Sequence, residues 1–425
     1  MTAVTTLDKA HENSHRWPQF LPDGRHFLYF SRQPEKSGIY VGSLDSKETR
    51  RILDADYNAM YAAPGYLLFV REGALMAQPF DAAKLSVTGN AFPVAEQVGL
   101  NAASRLSHFT VSESGVLVYE SGGDVVNSQL GWYDRTGKQI TTIGAPTNNY
   151  SIALAPDEKR IAIERLEKGS GDIWLIDIAR NTSPRFTFDP AWDLNPVSSP
   201  DGNTIMFASV RNGPPNLYVK FASGSSNEEL LLKTDRAKIP TDWSADGKFI
   251  LYREINARAK FDLWILPLEG DKTPKPFLQD DFDKGEAKFS PDGKWIAYSS
   301  DESGQYQVYV QPFPGPGAKY QVSTTGGSNP RWRSDEKELF YLTPDAKLMA
   351  VEVKTSSTFE AVAAKALFDA HVRGWIGSGV GTGLNARGNY AVSRDGQQFL
   401  LNSLTELTTS SSMIVVINWT ATLKQ

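Results

Sequence analysis

A phrase of the form Ser-Pro-Asp-Gly-Lys recurs along this chain, each time just ahead of a stretch that alternates apolar and polar residues. Its fullest copy is Phe289-Ser290-Pro291-Asp292-Gly293-Lys294-Trp295-Ile296-Ala297-Tyr298. Others are Phe20-Leu21-Pro22-Asp23-Gly24-Arg25, Ser199-Pro200-Asp201-Gly202, Trp243-Ser244-Ala245-Asp246-Gly247-Lys248 and Ser393-Arg394-Asp395-Gly396. An Asp-Gly pair between two strands is a hairpin turn: Asp bonds its own downstream backbone, Gly takes the positive φ and Pro presets the entry. Aligning the glycine column, or its stand-in, gives Gly24, Gly65, Gly115, Glu158, Gly202, Gly247, Gly293, Glu336 and Gly396, spaced 41, 50, 43, 44, 45, 46, 43 and 60 residues apart. A period of about 44 residues is that of one four-stranded propeller blade, and no helical periodicity competes with it.

The interior of a unit agrees. Around the fullest copy, residues 287–290, 295–301, 307–313 and 318–324 are short β-branched or aromatic runs separated by Gly, Pro or Ser. Third strands share a signature, as in Asp172-Ile173-Trp174, Asp262-Leu263-Trp264, Asn216-Leu217-Tyr218, Gln307-Val308-Tyr309 and Gly38-Ile39-Tyr40. The expected fold is all-β: a single closed propeller domain over 1–425, of nine blades, with eight plus one irregular unit as the alternative. The blades fall near 15–53, 57–98, 104–143, 149–188, 194–234, 238–279, 285–324, 328–368 and 389–419. The ninth lacks its outer strand, and residues 3–8 are expected to supply it, closing the ring.

Composition narrows the function classes. A net charge of −5 with both signs interspersed provides no basic stripe for nucleic acid. There are no cysteines, so disulfides and thiolate chemistry are excluded. Residues 1–14 hold no apolar run of signal-peptide length, and nowhere is a run long enough to span a bilayer, so a soluble monomer without membrane insertion is expected. Expressed alone, such a chain would stay in the cytoplasm.

In a propeller the innermost strands line a central channel, whose mouth is the expected binding site. The Asp-Gly turns are expected to face away from that mouth. Asp242, Glu286, Lys288 and Arg331 fall on the channel side of their strands by the period of two. They describe either a self-neutralising, water-filled channel or, with Asn329, a cradle for an anion held by the forked Arg331. His108 precedes another inner strand, and the long loop 369–388 adds His371, Arg373 and Trp375 beside a glycine-rich run. A small molecule, peptide or protein is the expected partner at this mouth. The alternative is a metal-dependent hydrolase, of esterase, lactonase or phosphoesterase type, with a divalent ion on His15, His108 and Glu286. No nucleophile elbow, phosphate loop, zincin helix or kinase catalytic loop is present.

The repeated phrase together with its Asp-Ile-Trp and Asp-Leu-Trp third strands resembles the TolB-like, WD-repeat-like β-propellers of bacteria. More narrowly, His15-Arg16-Trp17-Pro18-Gln19-Phe20-Leu21-Pro22-Asp23-Gly24, Tyr66-Leu67-Leu68-Phe69-Val70-Arg71-Glu72, Gly326-Gly327 ahead of Pro330-Arg331-Trp332, and Val415-Val416-Ile417-Asn418-Trp419-Thr420 are similar to the C-terminal propeller of receptor-type serine/threonine kinases of the acidobacterial kind. That resemblance implies an extracytoplasmic, periplasmic sensing or docking module without chemistry of its own. It carries over no kinase catalytic residue.

Overall fold

The computed structural model describes residues 3–8, 14–33, 37–101, 104–121, 127–167, 170–315, 317–355, 358–372, 388–405 and 412–424. Almost all regular structure in them is antiparallel strand. The chain divides into two compact units, Met1–Val125 with Leu407–Gln425, and Val126–Glu406. The expected single domain is thus two units.

Among the described residues, the larger unit contains six sheets. Their first strands are Asn149–Leu154, Asp193–Ser198, Lys238–Trp243, Lys284–Phe289, Ser328–Trp332 and Tyr390–Val392. Each packs against the next and the last against the first, so they form a closed ring. Apolar clusters fill the spaces between neighbouring sheets: Leu251, Leu263, Phe289, Ile296 and Tyr309 lie in one space, and Phe340, Leu348, Tyr390, Phe399 and Leu401 in another. Each fully buried Leu or Ile in such a layer contributes about 2 kcal/mol.

The sixth sheet corrects the expected closure. Tyr390–Val392 and Gln398–Leu404 are completed by Ser128–Asp134 and Gln139–Thr147, strands of the third sequence repeat, while residues 3–8 form no strand. The reason is what each candidate can bury. Ser128–Asp134 alternates so that Leu130 and Trp132 enter a cluster with Leu400, Ile152 and Ile163, whereas Val4 in the N-terminal segment is exposed. Arg135 then fastens the seam with a bidentate pair to Glu338 on the preceding sheet (2.7 and 3.0 Å) and a bond to the Gly396 carbonyl (2.9 Å).

The described residues of the smaller unit form three larger sheets and a short ribbon. Two are built on Ser14–Phe20 and Ala59–Ala62; the third joins Phe109–Val111 and Val116–Ser121 to Ser412–Ile417. The first pair shares the Leu28, Phe30, Leu67 and Phe69 core, and the second and third sheets share Leu68, Leu75, Leu117 and Trp419. Among the described residues no helix is long and apolar enough to cross a membrane.

The repeated phrase forms one turn each time. At its fullest copy the Ser290 hydroxyl donates to Asp292 (2.6 Å), Asp292 accepts the Lys294 amide (3.0 Å) and Gly293 sits at φ 71°. Open space surrounds Gly293, so conformation and not room selects glycine. Glu158 and Glu336 take the same place at φ 58° and 62°.

Candidate functional site: the central recess of the six-sheet ring

A recess of about 440 Å³ opens on the axis of the larger unit, and all six first strands contribute to it. Five of the six carry a register shift in mid-strand, between Asn149 and Ile152, Leu194 and Val197, Pro240 and Asp242, Lys284 and Ala287, and Ser328 and Arg331. Such bulges re-aim side chains. Two of them fall at Asn-Pro, where Asn195 and Asn329 take φ 51° and 54° and the proline has no amide to leave unpaired. Glu286 lies inside a bulge, and Asp242 and Arg331 directly after one.

The charges form two matched pairs. Lys288 Nζ lies 3.3 Å from Asp242 Oδ1 and also donates to the Thr241 carbonyl; the other Asp242 oxygen accepts the Phe289 amide at 2.8 Å. Arg331 Nη2 lies 2.6 Å from Glu286 Oε2, while its other nitrogens reach the Pro330 and Tyr390 carbonyls. The Arg331 guanidinium also covers the Tyr390 ring at 5.3 Å, and Tyr390 donates its hydroxyl to the Asn329 carbonyl at 2.8 Å. Burial pushes the Asp242 carboxyl above its usual value, and Lys288 and the Phe289 amide only partly offset it. Burial acts on Glu286 in the same sense, but Arg331 and Lys288 outweigh it and hold that carboxyl low. Burial also raises the Tyr390 phenol.

The two walls differ. Asp242, Glu286, Lys288 and Arg331 sit on three consecutive strands, while the other three strands line the recess with uncharged residues such as Ser151, Ala153, Asn195 and Val392. Gly388 closes one side, its amide backbone against the Glu286–Arg331 pair. A Cβ there would stand 2.8 Å from Arg331 Nη2 and 3.0 Å from Glu286 Oε1. The Gly388 carbonyl accepts the Ile152 amide at 2.8 Å, which fixes its approach.

The rim corrects a second expectation. Pro156, Pro200, Ala245, Pro291 and Arg394 all line the recess, and each holds the second position of a repeated turn. The turns expected to face away therefore surround this opening. Arg394 and Glu158 meet across the seam, where the Arg394 amide donates to Glu158 at 2.5 Å.

Of the residues singled out in the sequence, Asp242, Glu286, Lys288 and Arg331 converge in the recess. Asn329 is buried and does not line it. His371 is exposed, its carbonyl accepting the Leu404 amide, and Arg373 and Trp375 lie outside the described residues. His108 belongs to the smaller unit, where Nδ1 meets Glu120 at 2.6 Å; His15 lies there too, bonded to Thr5. The metal set His15, His108 and Glu286 is thus divided between the units, and among the described residues no group of three or more His, Asp or Glu is placed to hold a metal ion. Tyr390, Gly388 and the prolines of the phrase were not singled out. The Asn389-Tyr390 pair ahead of an inner strand is the signal that could have found the first.

A closed ring of antiparallel sheets around an axial recess defines a β-propeller. Residues 133–274 match the family model of the TolB beta propeller domain. Over 172 residues the chain is 27% identical to the Tol-Pal system protein TolB of Helicobacter pylori strain J99, which is 40% of this chain and 38% of that protein. The same protein from strain ATCC 700392 / 26695 is 26% identical over the same length. The chain therefore aligns with about two fifths of the curated relatives it matches. Among solved structures, the putative TolB from Agrobacterium tumefaciens superposes with a TM-score of 0.50 at 16% identity, over 65% of this chain and 97% of that one. The chain carries a TolB-like β-propeller.

Proposed function

We propose that this protein is a non-catalytic interaction module, whose six-sheet propeller seats a segment of a partner protein at the turn-lined mouth of its recess. The single observation behind this is the pairing on the charged wall of the recess: Asp242 is matched with Lys288 and Glu286 with Arg331, so neither carboxylate stands ready as a base, and no metal-holding group is found among the described residues. An anionic ligand would have to displace a buried carboxylate from Arg331, and breaking such a pair costs about 3–5 kcal/mol. A charged wall facing an uncharged one suits an amphipathic peptide, with polar anchors along one side and small apolar residues along the other. The likeness to the Tol-Pal protein TolB supports docking in the same sense, as does the resemblance to receptor-kinase propellers, which adds a sensing role outside the cytoplasm.

The test selects a random short-peptide library on the wild-type chain and measures the enriched peptides by fluorescence anisotropy. Ala153→Trp on the uncharged wall should weaken binding about ten-fold or more at unchanged melting temperature, and Lys288→Ala on the charged one should weaken it as much while lowering the melting temperature, because it leaves Asp242 without its cation. Peptides indifferent to both substitutions reject the site. Chelator-sensitive turnover of an ester and phosphoester panel would overturn the non-catalytic reading instead.

A further inference from the structure

The third sheet of the smaller unit ends in Ser412–Ile417, which pairs with Val116–Ser121 on one side; on the other, Met413–Ile417 meet no strand among the described residues. Its sequence is Ser-Met-Ile-Val-Val-Ile, without a charge or a proline. Every other outermost strand of four or more described residues carries one or the other: Arg50–Asp54, Phe92–Ala95, Gln139–Thr147, Ser170–Asp177, Glu229–Leu232, Lys275–Leu278 and Lys365–Asp369. Charges and prolines are what keep an open edge from accepting a further strand. This edge alone among them goes unguarded.

Its outward face is apolar as well. Met413, Val415 and Ile417 are 80%, 58% and 72% exposed. They stand opposite Glu120, Val118 and Val116, so Val116 and Val118 extend the stripe onto the next strand. The opposite face is used, with Val416 packed against the core that holds Trp419 and Leu117.

We propose that a second copy of this chain pairs with this edge, antiparallel and about a two-fold axis through Val415. The strand is complementary to itself in that register. Val415 faces Val415, Met413 faces Ile417 twice, and apolar stands opposite apolar at every outward position, with no charge brought against its like. A neutral edge offers a charged partner strand nothing to pair with, whereas its own copy satisfies both backbone and side chains. This surface belongs to the smaller unit and the recess to the larger one, and a dimer formed here would stand in place of the monomer expected from sequence.

Light scattering coupled to size exclusion, from about 1 μM to about 1 mM, reads the outcome. The wild-type chain is expected to pass from monomer to dimer, and the amides of Met413–Ile417 to gain hydrogen-exchange protection as it does. Val415→Lys places two ammonium groups face to face and should weaken the dimer at least about ten-fold, while Val415→Thr keeps it. Both variants should keep the wild-type melting temperature at low concentration, since the site is exposed. A wild-type chain monomeric throughout, or a dimer that survives Val415→Lys, overturns the proposal. So does a monomer whose edge amides are protected only by a strand from another protein.

Discussion

Glu286 and Asp242 share one recess but answer burial in opposite senses, because their partners differ. Arg331 meets Glu286 at 2.6 Å and holds its carboxyl below the usual value against the pull of burial; Lys288, at 3.3 Å and shared with the Thr241 carbonyl, leaves Asp242 raised. For Glu286 the folded-state value lies below the unfolded one. Its contribution to stability is therefore complete above pH of about 4.5 and is lost as the pH falls through the lower folded value. Denaturant unfolding between pH 3 and 7 should show this as a slope that Glu286→Gln removes, at the cost of a lower plateau near neutrality. An unchanged slope in the variant would show that the pair carries no such linkage. None of this was legible in the residue types alone, since period-two alternation places both acids on the channel side without telling which cation each will meet.

At the scale of the element, the repeated turn does two jobs. It joins the first two strands of a sheet, and in five of the six sheets of the ring its second residue rims the recess. Where glutamate replaces glycine, it bridges sheets: Glu336 accepts the Asp292 amide at 2.5 Å and the Thr355 hydroxyl at 2.9 Å, as Glu158 accepts the Arg394 amide across the seam. The positive φ at these positions costs about 1 kcal/mol that glycine would recover. The bonds outweigh that relief. Glu336→Gly should lower the unfolding free energy by about 1 kcal/mol in urea titration, whereas a turn that needed only positive φ would gain by the change. Turns and strands were legible because their chemistry is local. Strand partners were not: the pattern of Ser128–Asp134 fits any sheet that needs Leu130 and Trp132, and the third repeat was read as one blade although its halves complete different sheets.

For the whole molecule, the chain leaves the smaller unit after Val116–Ser121 and rejoins it at Ser412–Ile417, neighbours in one sheet. The described residues of 127–405 belong to a ring that closes on itself through Ser128–Asp134 and Gln398–Leu404. Residues 127–405 expressed alone should therefore unfold in one cooperative transition with the near-ultraviolet signal of packed aromatics, although they lack the N-terminal segment once expected to close the fold. A fragment without that signal would show that the ring depends on the smaller unit.

The sequence by itself determined the blade. Asp-Gly turns, alternating strands and a period of about 44 residues are set by contacts within a few positions of one another, so they can be read directly. It also placed Asp242, Glu286, Lys288 and Arg331 on the channel side of their strands, since side-chain direction along a strand follows the pleat. Only the tertiary structure decided which strands close the ring, that there are two units, that the turns rim the recess and that the four charges of its one charged wall pair with each other. Those are contacts between residues tens to hundreds of positions apart, chosen by which apolar faces and which opposite charges can be buried together.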